Sequence, residues 1–522
     1  MNMLFVALII AFCVALGKAK FAYSFVGFNS ILGLSFLIGL CMGDIPQALI
    51  IGTAIQAVYL GFTQSGGVIS SDAQIATAIT VPIVLNTGLD QDAALALAEP
   101  VGALAASLTN VIYIINGSLY RDAIKKAEKG DALGVALDAT LWPILIRGIL
   151  YGAIVFVGIY FGSPVIQAVL DVIPQWVIDG FSVAGGILPI LGFALVVNSM
   201  NRKDYIPYFI IGFFIMQYFE IKIMGVAIFT ICLVIMKYFL NGNVDLSVLK
   251  AKPDPNKKHL LTKRDVFKLY WRWWWFVEVA HSFEGMQALA RCNAFIPALK
   301  KLYPDNKEEL AAGLQRHLGY FNTNGEYGTA IFGVILAMEE ENAITHKMSN
   351  EELDMTINGL ATGLMGPLAG IGDTLDWGTW NKILIGVAMS YTATGSWIGV
   401  ALYLGGFLLI TTIEGLTAIN VGYRLGSDAI AALFDGGLVK IVKDASGLIG
   451  MVMMGALASQ YASFSFANET LQKISNAVAP NAIVLALIFF VYWLISKKTK
   501  KFGLITFGMI AAALLLSFLG IA

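Results

Sequence analysis

Two groups of polar side chains stand inside otherwise apolar sequence, and both have the chemistry to grip a small neutral solute. In the first hundred residues Asp44, Gln56, Gln64, Asp72, Asp90 and Glu99 interrupt hydrophobic runs. A polar or ionisable group is costly there and is a functional candidate by default. Gln56 is the only strongly polar side chain in Ile51 to Leu60, and Gln64, Ser70, Ser71 and Asp72 follow in a Gly-rich turn. Amides and carboxylates suit the hydroxyls of a small solute, while helix capping is the competing role for Asp44 and Asp72. In the second group Glu284 and Gln287, three apart, are expected to share one helix face. Asn322 and Thr323 open a turn rich in donors and acceptors, and Met365 to Thr374 reads as an apolar Gly/Pro-interrupted hairpin carrying the carboxylate of Asp373. Glu339, Glu340 and Glu341 read as a solvated helix end.

Other chemistries are poorly supplied. His259, His281, His317 and His346 have no HExxH spacing and no neighbouring Ser or Cys nucleophile, and no GxxxxGK[ST] loop occurs. Cys13, Cys41, Cys232 and Cys292 lack CxxC spacing, so neither a disulfide framework nor a metal site is expected. No cofactor motif is present, and a formal charge of −1 leaves no basic field for nucleic acid. Energy for any transport must then come from an ion gradient or from another protein.

The elements that position these residues are those of a membrane protein. Of 522 residues, 57% are hydrophobic and 13% charged, with a mean hydropathy of +0.74, where a soluble domain carries about 25% charged residues. The expected fold is all-α and polytopic, with broken or re-entrant helices in two related membrane blocks. Apolar segments lie near 4–17, 26–43, 47–62, 74–88, 93–117, 140–161, 181–198, 206–219 and 223–240, then near 357–372, 383–416, 447–460, 481–496 and 503–521. Several fall short of the ~20 residues that span hydrocarbon, and Gly61 to Gly67 and Val81-Pro82 look like breaks. The domains are a membrane block at 1–240, a basic linker at 241–262 and a second block at 263–522, whose 263–356 is polar and helical and whose 357–522 is membrane-embedded. Lysines of the linker and Lys497 to Lys501 place both on the cytoplasmic side. Trp271, Trp273, Trp274 and Trp275 suit a helix lying at the bilayer interface.

Phe283-Glu284-Gly285-Met286-Gln287, Ile296-Pro297-Ala298, Arg316-His317-Leu318, Phe321-Asn322-Thr323, Ala337-Met338-Glu339-Glu340 and Gly363 to Thr374 resemble, in this order, the IID component of mannose-family sugar phosphotransferase systems. Gly39 to Asp44, Gly52 to Gly61, Ser71-Asp72-Ala73 and Gly180 to Met200 resemble the IIC partner, so the chain looks like a fusion of two subunits. The resemblance implies a sugar permease of the bacterial cytoplasmic membrane, working with separate IIA and IIB proteins and, through them, HPr and enzyme I. It implies that IIB phosphorylates the entering sugar, that this chain has no phosphorylated residue of its own, that IIC and IID share one sugar site, and that the pairs form trimers in lipid. Mannose-transporting members usually have Glu where this chain has Gln56, Asn near Gln64, Arg at Gly285 and Pro at Thr374. The pattern is closer to members carrying N-acetylgalactosamine or other amino sugars and uronic-acid-containing sugars than to carriers of mannose, glucose or fructose. From the residues alone a second class stays open, an ion-coupled sugar transporter with Asp44, Asp72 or Asp373 binding the cation.

Overall fold

The computed structural model describes residues 3–19, 29–60, 71–88, 91–170, 174–200, 203–219, 221, 223–239, 259–435, 438–497 and 502–521. Gln64, the Gly61 to Gly67 stretch, the linker lysines from Lys250 to Lys258 and Lys498 to Lys501 lie outside them. The described residues form α-helices joined by turns, with two isolated bridges, Ser282 to Met286 and Met286 to Phe321, as the only β pairing among them.

The first half contains α1 (Met3–Lys18), α2 (Ile31–Met42), α3 (Ile45–Tyr59), α4 (Ala73–Thr87), α5 (Gln91–Glu128), α6 (Ala132–Ala139), α7 (Leu141–Leu170), α8 (Gln175–Met200), α9 (Ile206–Phe219) and α10 (Ile223–Val234). The second contains α11 (Lys263–Phe276), α12 (Ala288–Leu302), α13 (Lys307–Arg316), α14 (Thr329–Thr345), α15 (Asn350–Gly372), a π-helical segment (Asp373–Trp380), α16 (Asn381–Thr392), α17 (Ile398–Asp435), α18 (Leu438–Tyr461), α19 (Glu469–Val478), α20 (Ala482–Lys497) and α21 (Phe502–Phe518).

Among the described residues two stretches, Ala132–Gly162 and Ile398–Arg424, are long and apolar enough to cross a bilayer on length and composition, with mean hydropathies of 2.1 and 1.6. Many of the others are short: the 16 residues of α1 rise about 24 Å, against ~30 Å of hydrocarbon. Their outward faces are apolar. On α1, Phe5, Leu8, Ile9 and Phe12 are exposed while Val6, Ile10 and Val14 are buried, a division that suits lipid on one side and protein on the other.

Local chemistry explains several helix ends. Asp44 starts α3 by accepting from Gln47 N at 3.0 Å, and Asp72 starts α4 by accepting from Ile75 N at 3.1 Å. Asn306 caps α13 by accepting from Glu309 N at 3.1 Å. Other expectations are overturned. Pro82 lies inside an unbroken α4, and Met365 to Thr374 forms no hairpin. Instead α15 runs through Pro367 and widens into the π-helical segment, which lets the chain absorb extra residues without ending the helix.

The apolar core is shared rather than divided at the linker. One cluster gathers buried residues from α1 to α5 and α7 to α10 together with α16, α17, α18, α20 and α21. The two halves meet most closely where α9 lies against α18. A Cβ on Gly212 would collide with the Val452 carbonyl, and one on Gly455 with the Phe209 carbonyl, so reciprocal glycines let the two backbones touch. A second cluster joins α11 to α15 to the end of α5 and to α6, giving the first half a share in the polar region as well.

That second cluster corrects two readings. Trp273 and Trp274 are buried and Trp271 and Trp275 half-buried, with the Trp273 indole donating to the Gly325 carbonyl at 2.6 Å and meeting Phe332 edge-to-face at 4.5 Å. The indoles therefore pack a core instead of forming an interfacial belt. Glu339 is fully buried, not solvated: it accepts from Arg316 at 2.6 Å, from Tyr303 at 3.1 Å and lies 3.1 Å from His317. Glu340 is buried too, taking the Leu260 and Leu261 amides at 2.6 Å and the Tyr423 hydroxyl at 2.6 Å. Of the three carboxylates only Glu341 is exposed.

Candidate functional site

Between α11 and α12 the chain turns tightly at Ser282 to Gln287, with Met286 at a φ of 51°. This turn, not a helix, carries Glu284 and Gln287, so the two side chains do not share a face. Gln287 is buried and reads the backbone of Thr323 from both sides, donating to its carbonyl at 2.9 Å and accepting from its amide at 2.9 Å. The same amide group donates to Glu278 at 3.2 Å, and Glu278 in turn meets the His281 ring at 2.8 Å. Thr323 donates to the Met365 carbonyl at 3.1 Å, tying the turn to α15.

One residue further on, Asn324 is held by the backbone amides of Glu326 and Tyr327 at 3.0 and 2.9 Å. Its amide group donates to Asp376 at 2.9 Å and lies 3.4 Å from Asp373. Gly372 makes the approach possible, because a Cβ there would overlap the Asn324 side chain. Asp376 is fully buried on the π-helical segment, close to Glu414 of α17. Glu414 also accepts from Tyr327 at 2.9 Å and Trp380 at 3.0 Å.

The first half supplies the facing wall. Arg147 of α7 is buried and donates to the Glu278 carbonyl at 3.2 Å, and Asn116 of α5 donates to the His281 carbonyl at 2.8 Å. Tyr113 stacks on His281 at 5.6 Å and meets Phe283 edge-on at 5.3 Å. Further along α7, Tyr151 bonds Thr109 at 2.9 Å and lies 5.0 Å beneath the Lys18 ammonium, which pairs with Asp72 at 2.5 Å. A polar band therefore runs from Lys18 and Asp72, past Tyr151 and Arg147, to Glu278, Gln287, Asn324 and the acid pair.

Gln56 lies on a separate stretch of the same seam. Thr53 of α3 bonds Thr392 of α16 at 2.6 Å, and Lys382 of α16 donates to the Leu60 carbonyl at the end of α3. Gln56, three residues after Thr53 and four before Leu60, falls between these contacts on the same side of α3. It is 7% exposed, and its amide has no hydrogen-bond partner among the described residues.

Comparison with known proteins gives this arrangement a context. Residues 260–522 match the family described as the mannose/fructose/sorbose family IID component of the phosphotransferase system, and residues 1–236 match the sorbose-specific IIC component. The chain belongs to the mannose family of phosphotransferase membrane components. It is a IIC and a IID component in one polypeptide, and hence an integral membrane sugar permease. The mannose-specific EIID component of Escherichia coli (strain K12) is 32% identical over 238 residues, covering 43% of this chain and 82% of that protein. The N-acetylgalactosamine permease IIC component 1 of the same strain is 31% identical over 221 residues, 42% of this chain and 80% of that one. A solved mannose transporter ManYZ in complex with microcin E492 is 29% identical over 51% of this chain and 99% of its own, at a TM-score of 0.31, too low to carry a structural argument.

Within this IIC–IID chain the expected site residues separate into groups. Gln287, Thr323 and Asp373 come together through Asn324, with Asn322 half-buried beside them. Asp72 belongs to the same band through Lys18. Asp44 is an exposed cap of α3, and Glu284, with a side chain 44% exposed, is paired with Arg121 of α5 at the surface. Asp376, Glu414, Arg147 and Lys382 escaped the sequence reading, and Asn324 entered it only as a member of the polar turn that Asn322 and Thr323 open. Arg147, Lys382 and Glu414 are ionisable residues in apolar runs, so the rule that singled out Asp72 also applies to them.

Proposed function

We propose that this chain is the sugar-translocating component of a phosphoenolpyruvate-dependent phosphotransferase system, passing its sugar to a separate IIB protein for phosphorylation during uptake. The observation that carries this reading is the polar seam where IIC and IID helices meet inside one apolar core, with the Gln56 amide unspent between α3 and α16. The sugar site lies along that seam, with Gln56, Asp72, Gln287, Asn322, Thr323 and Asp373 as its polar groups, and Gln64, outside the described residues, belongs to the same proposed set. Asp44 and Glu284 serve a helix start and a surface ion pair and stand at its margin.

The substrate is a hexose or an N-acetylated hexosamine, and N-acetylgalactosamine is favoured by the relative named for it and by an amide at position 56. The fused chain works as a homotrimer in the bacterial cytoplasmic membrane, crossing it several times by helices that include re-entrant ones, with the linker inside. IIB is its direct partner, supplied by IIA, HPr and enzyme I. An ion-coupled mechanism is disfavoured because two of its three candidate carboxylates are spent, Asp44 on its own helix and Asp72 on Lys18.

Equilibrium binding of a panel of hexoses and N-acetylhexosamines to the purified chain tests the reading. Saturable binding of at least one sugar, weakened by about tenfold or more in Asn322→Ala and Gln56→Leu, is expected, the loss of one buried hydrogen bond amounting to about 1–1.5 kcal/mol. No binding by any sugar, or variants indistinguishable from the parent, contradicts it.

A further inference from the structure

Lys382 is a charge buried without a counter-charge among the described residues. It is 6% exposed, and the backbone carbonyl of Leu60 is its sole hydrogen-bond acceptor among the described residues. Among the described residues no charged side chain lies close enough to offset it. An ammonium carries three N–H donors, so two are left over inside the protein. Burying an ion in this way is unfavourable unless something pairs with it.

Its placement follows from the fold. The π-helical segment ends at Trp380, and the widened turns re-aim the chain as α16 begins. Asn381 is held by Tyr403 of α17 at 2.9 Å, and the next side chain crosses from the IID half to the end of α3 in the IIC half. One helical turn back along α3 stands Gln56, itself buried and without a hydrogen-bond partner among the described residues. The two side chains together hold four unspent N–H donors and one acceptor. A hydroxyl both donates and accepts and gains little from such a surplus. A carbonyl or carboxylate oxygen accepts only, and takes two of the donors at once.

We propose that Lys382 is a specificity-determining residue of the sugar site, binding with Gln56 the acceptor oxygen of a carbonyl-bearing substituent on the sugar. This rests on the sugar-permease reading and narrows it to sugars with an acetamido or carboxylate group. The contact with Leu60 also places positive charge at the C-terminal end of α3, where the helix dipole favours it. That role alone predicts no preference among sugars.

Equilibrium binding to the purified full chain separates these roles, with N-acetylgalactosamine, galacturonate and galactose as probes and Lys382→Met and Gln56→Leu as variants. The parent protein is expected to bind N-acetylgalactosamine or galacturonate at least about tenfold more tightly than galactose. In Lys382→Met that gap should close to about twofold with galactose binding nearly unchanged. Loss confined to N-acetylgalactosamine assigns the acetamido group, and loss confined to galacturonate assigns the carboxylate. A preference that survives in Lys382→Met, or equal weakening of all three sugars, overturns the proposal while leaving sugar transport intact. If Lys382→Met does not fold, the same comparison in Gln56→Leu decides, since a retained preference there overturns it as well. Failure of the parent protein to bind any sugar refutes the transport reading itself.

Discussion

Replacing Glu339 with Gln should destabilise the polar region strongly, although three carboxylates in a row resemble a solvated helix end. Oε1 of Glu339 receives the Arg316 guanidinium at 2.6 Å, and Oε2 receives the Tyr303 hydroxyl at 3.1 Å. Glutamine keeps one acceptor, turns a donor toward a group that also donates, and leaves the buried Arg316 without its counter-charge. Removing one partner of a buried pair costs about 3–5 kcal/mol. At roughly 2–4 °C per kcal/mol for a unit of 150–250 residues, the melting temperature should fall by roughly 6–20 °C. Tryptophan fluorescence of the purified chain during heating suits the assay, because Trp273 lies in the same apolar cluster. Exposed Glu341→Gln is the reference and should shift melting by no more than about 2 °C, the range of ordinary surface changes. Should Glu339→Gln melt within that margin as well, the buried network is wrongly assigned.

Three further outcomes follow from the same physical arguments. Burial holds the His317 imidazole down to about 4, and Glu339, pushed up by burial, is held below its ordinary value by His317 and Arg316. Both contributions are fully present above the unfolded values and are lost as pH falls, for His317 between about 6.5 and 4, so melting should drop from pH 7 to pH 5 and His317→Gln should flatten that drop. Gly212→Val and Gly455→Val drive side chains into backbone carbonyls and should cost about 1–3 kcal/mol or more each; IIC and IID halves expressed separately, cut between Asp254 and Lys258, should co-purify in the parent and fail to do so in these variants. Cysteines placed at positions 256 and 499 should resist labelling from outside intact cells if linker and C-terminal basic turn are cytoplasmic, and labelling at either overturns that topology.

The helices were legible because their signal is local. Apolar runs, and caps such as Asp44, Asp72 and Asn306, act within a few residues, and they recur in α3, α4 and α13. Partners distant in sequence were not. Nothing near Glu339 announces Arg316, His317 and Tyr303, which lie 22 to 36 residues away. Spacing suggested that Glu284 and Gln287 share a helix, but the positive φ of Met286 breaks the run between Phe276 and Ala288. Pro367 and the surrounding glycines read as a hairpin because each weakens a helix alone, whereas the packed π-helical segment keeps the chain helical to Thr392. Of the candidate site, the Gln287, Thr323 and Asp373 group was foreseeable from polar turns. The Lys382 contribution depends on how α16 meets the end of α3 in the IIC half, and that of Glu414 on how α17 packs against Tyr327 and Trp380.

The most direct test is phosphoenolpyruvate-driven uptake by vesicles in which this chain is the only sugar permease. With IIA, IIB, HPr and enzyme I supplied inside, radiolabelled sugar should accumulate as its phosphate, and omitting IIB should abolish it even under an imposed proton or sodium gradient. Accumulation of free, unphosphorylated sugar driven by such a gradient, with no phosphotransfer proteins present, would contradict the account.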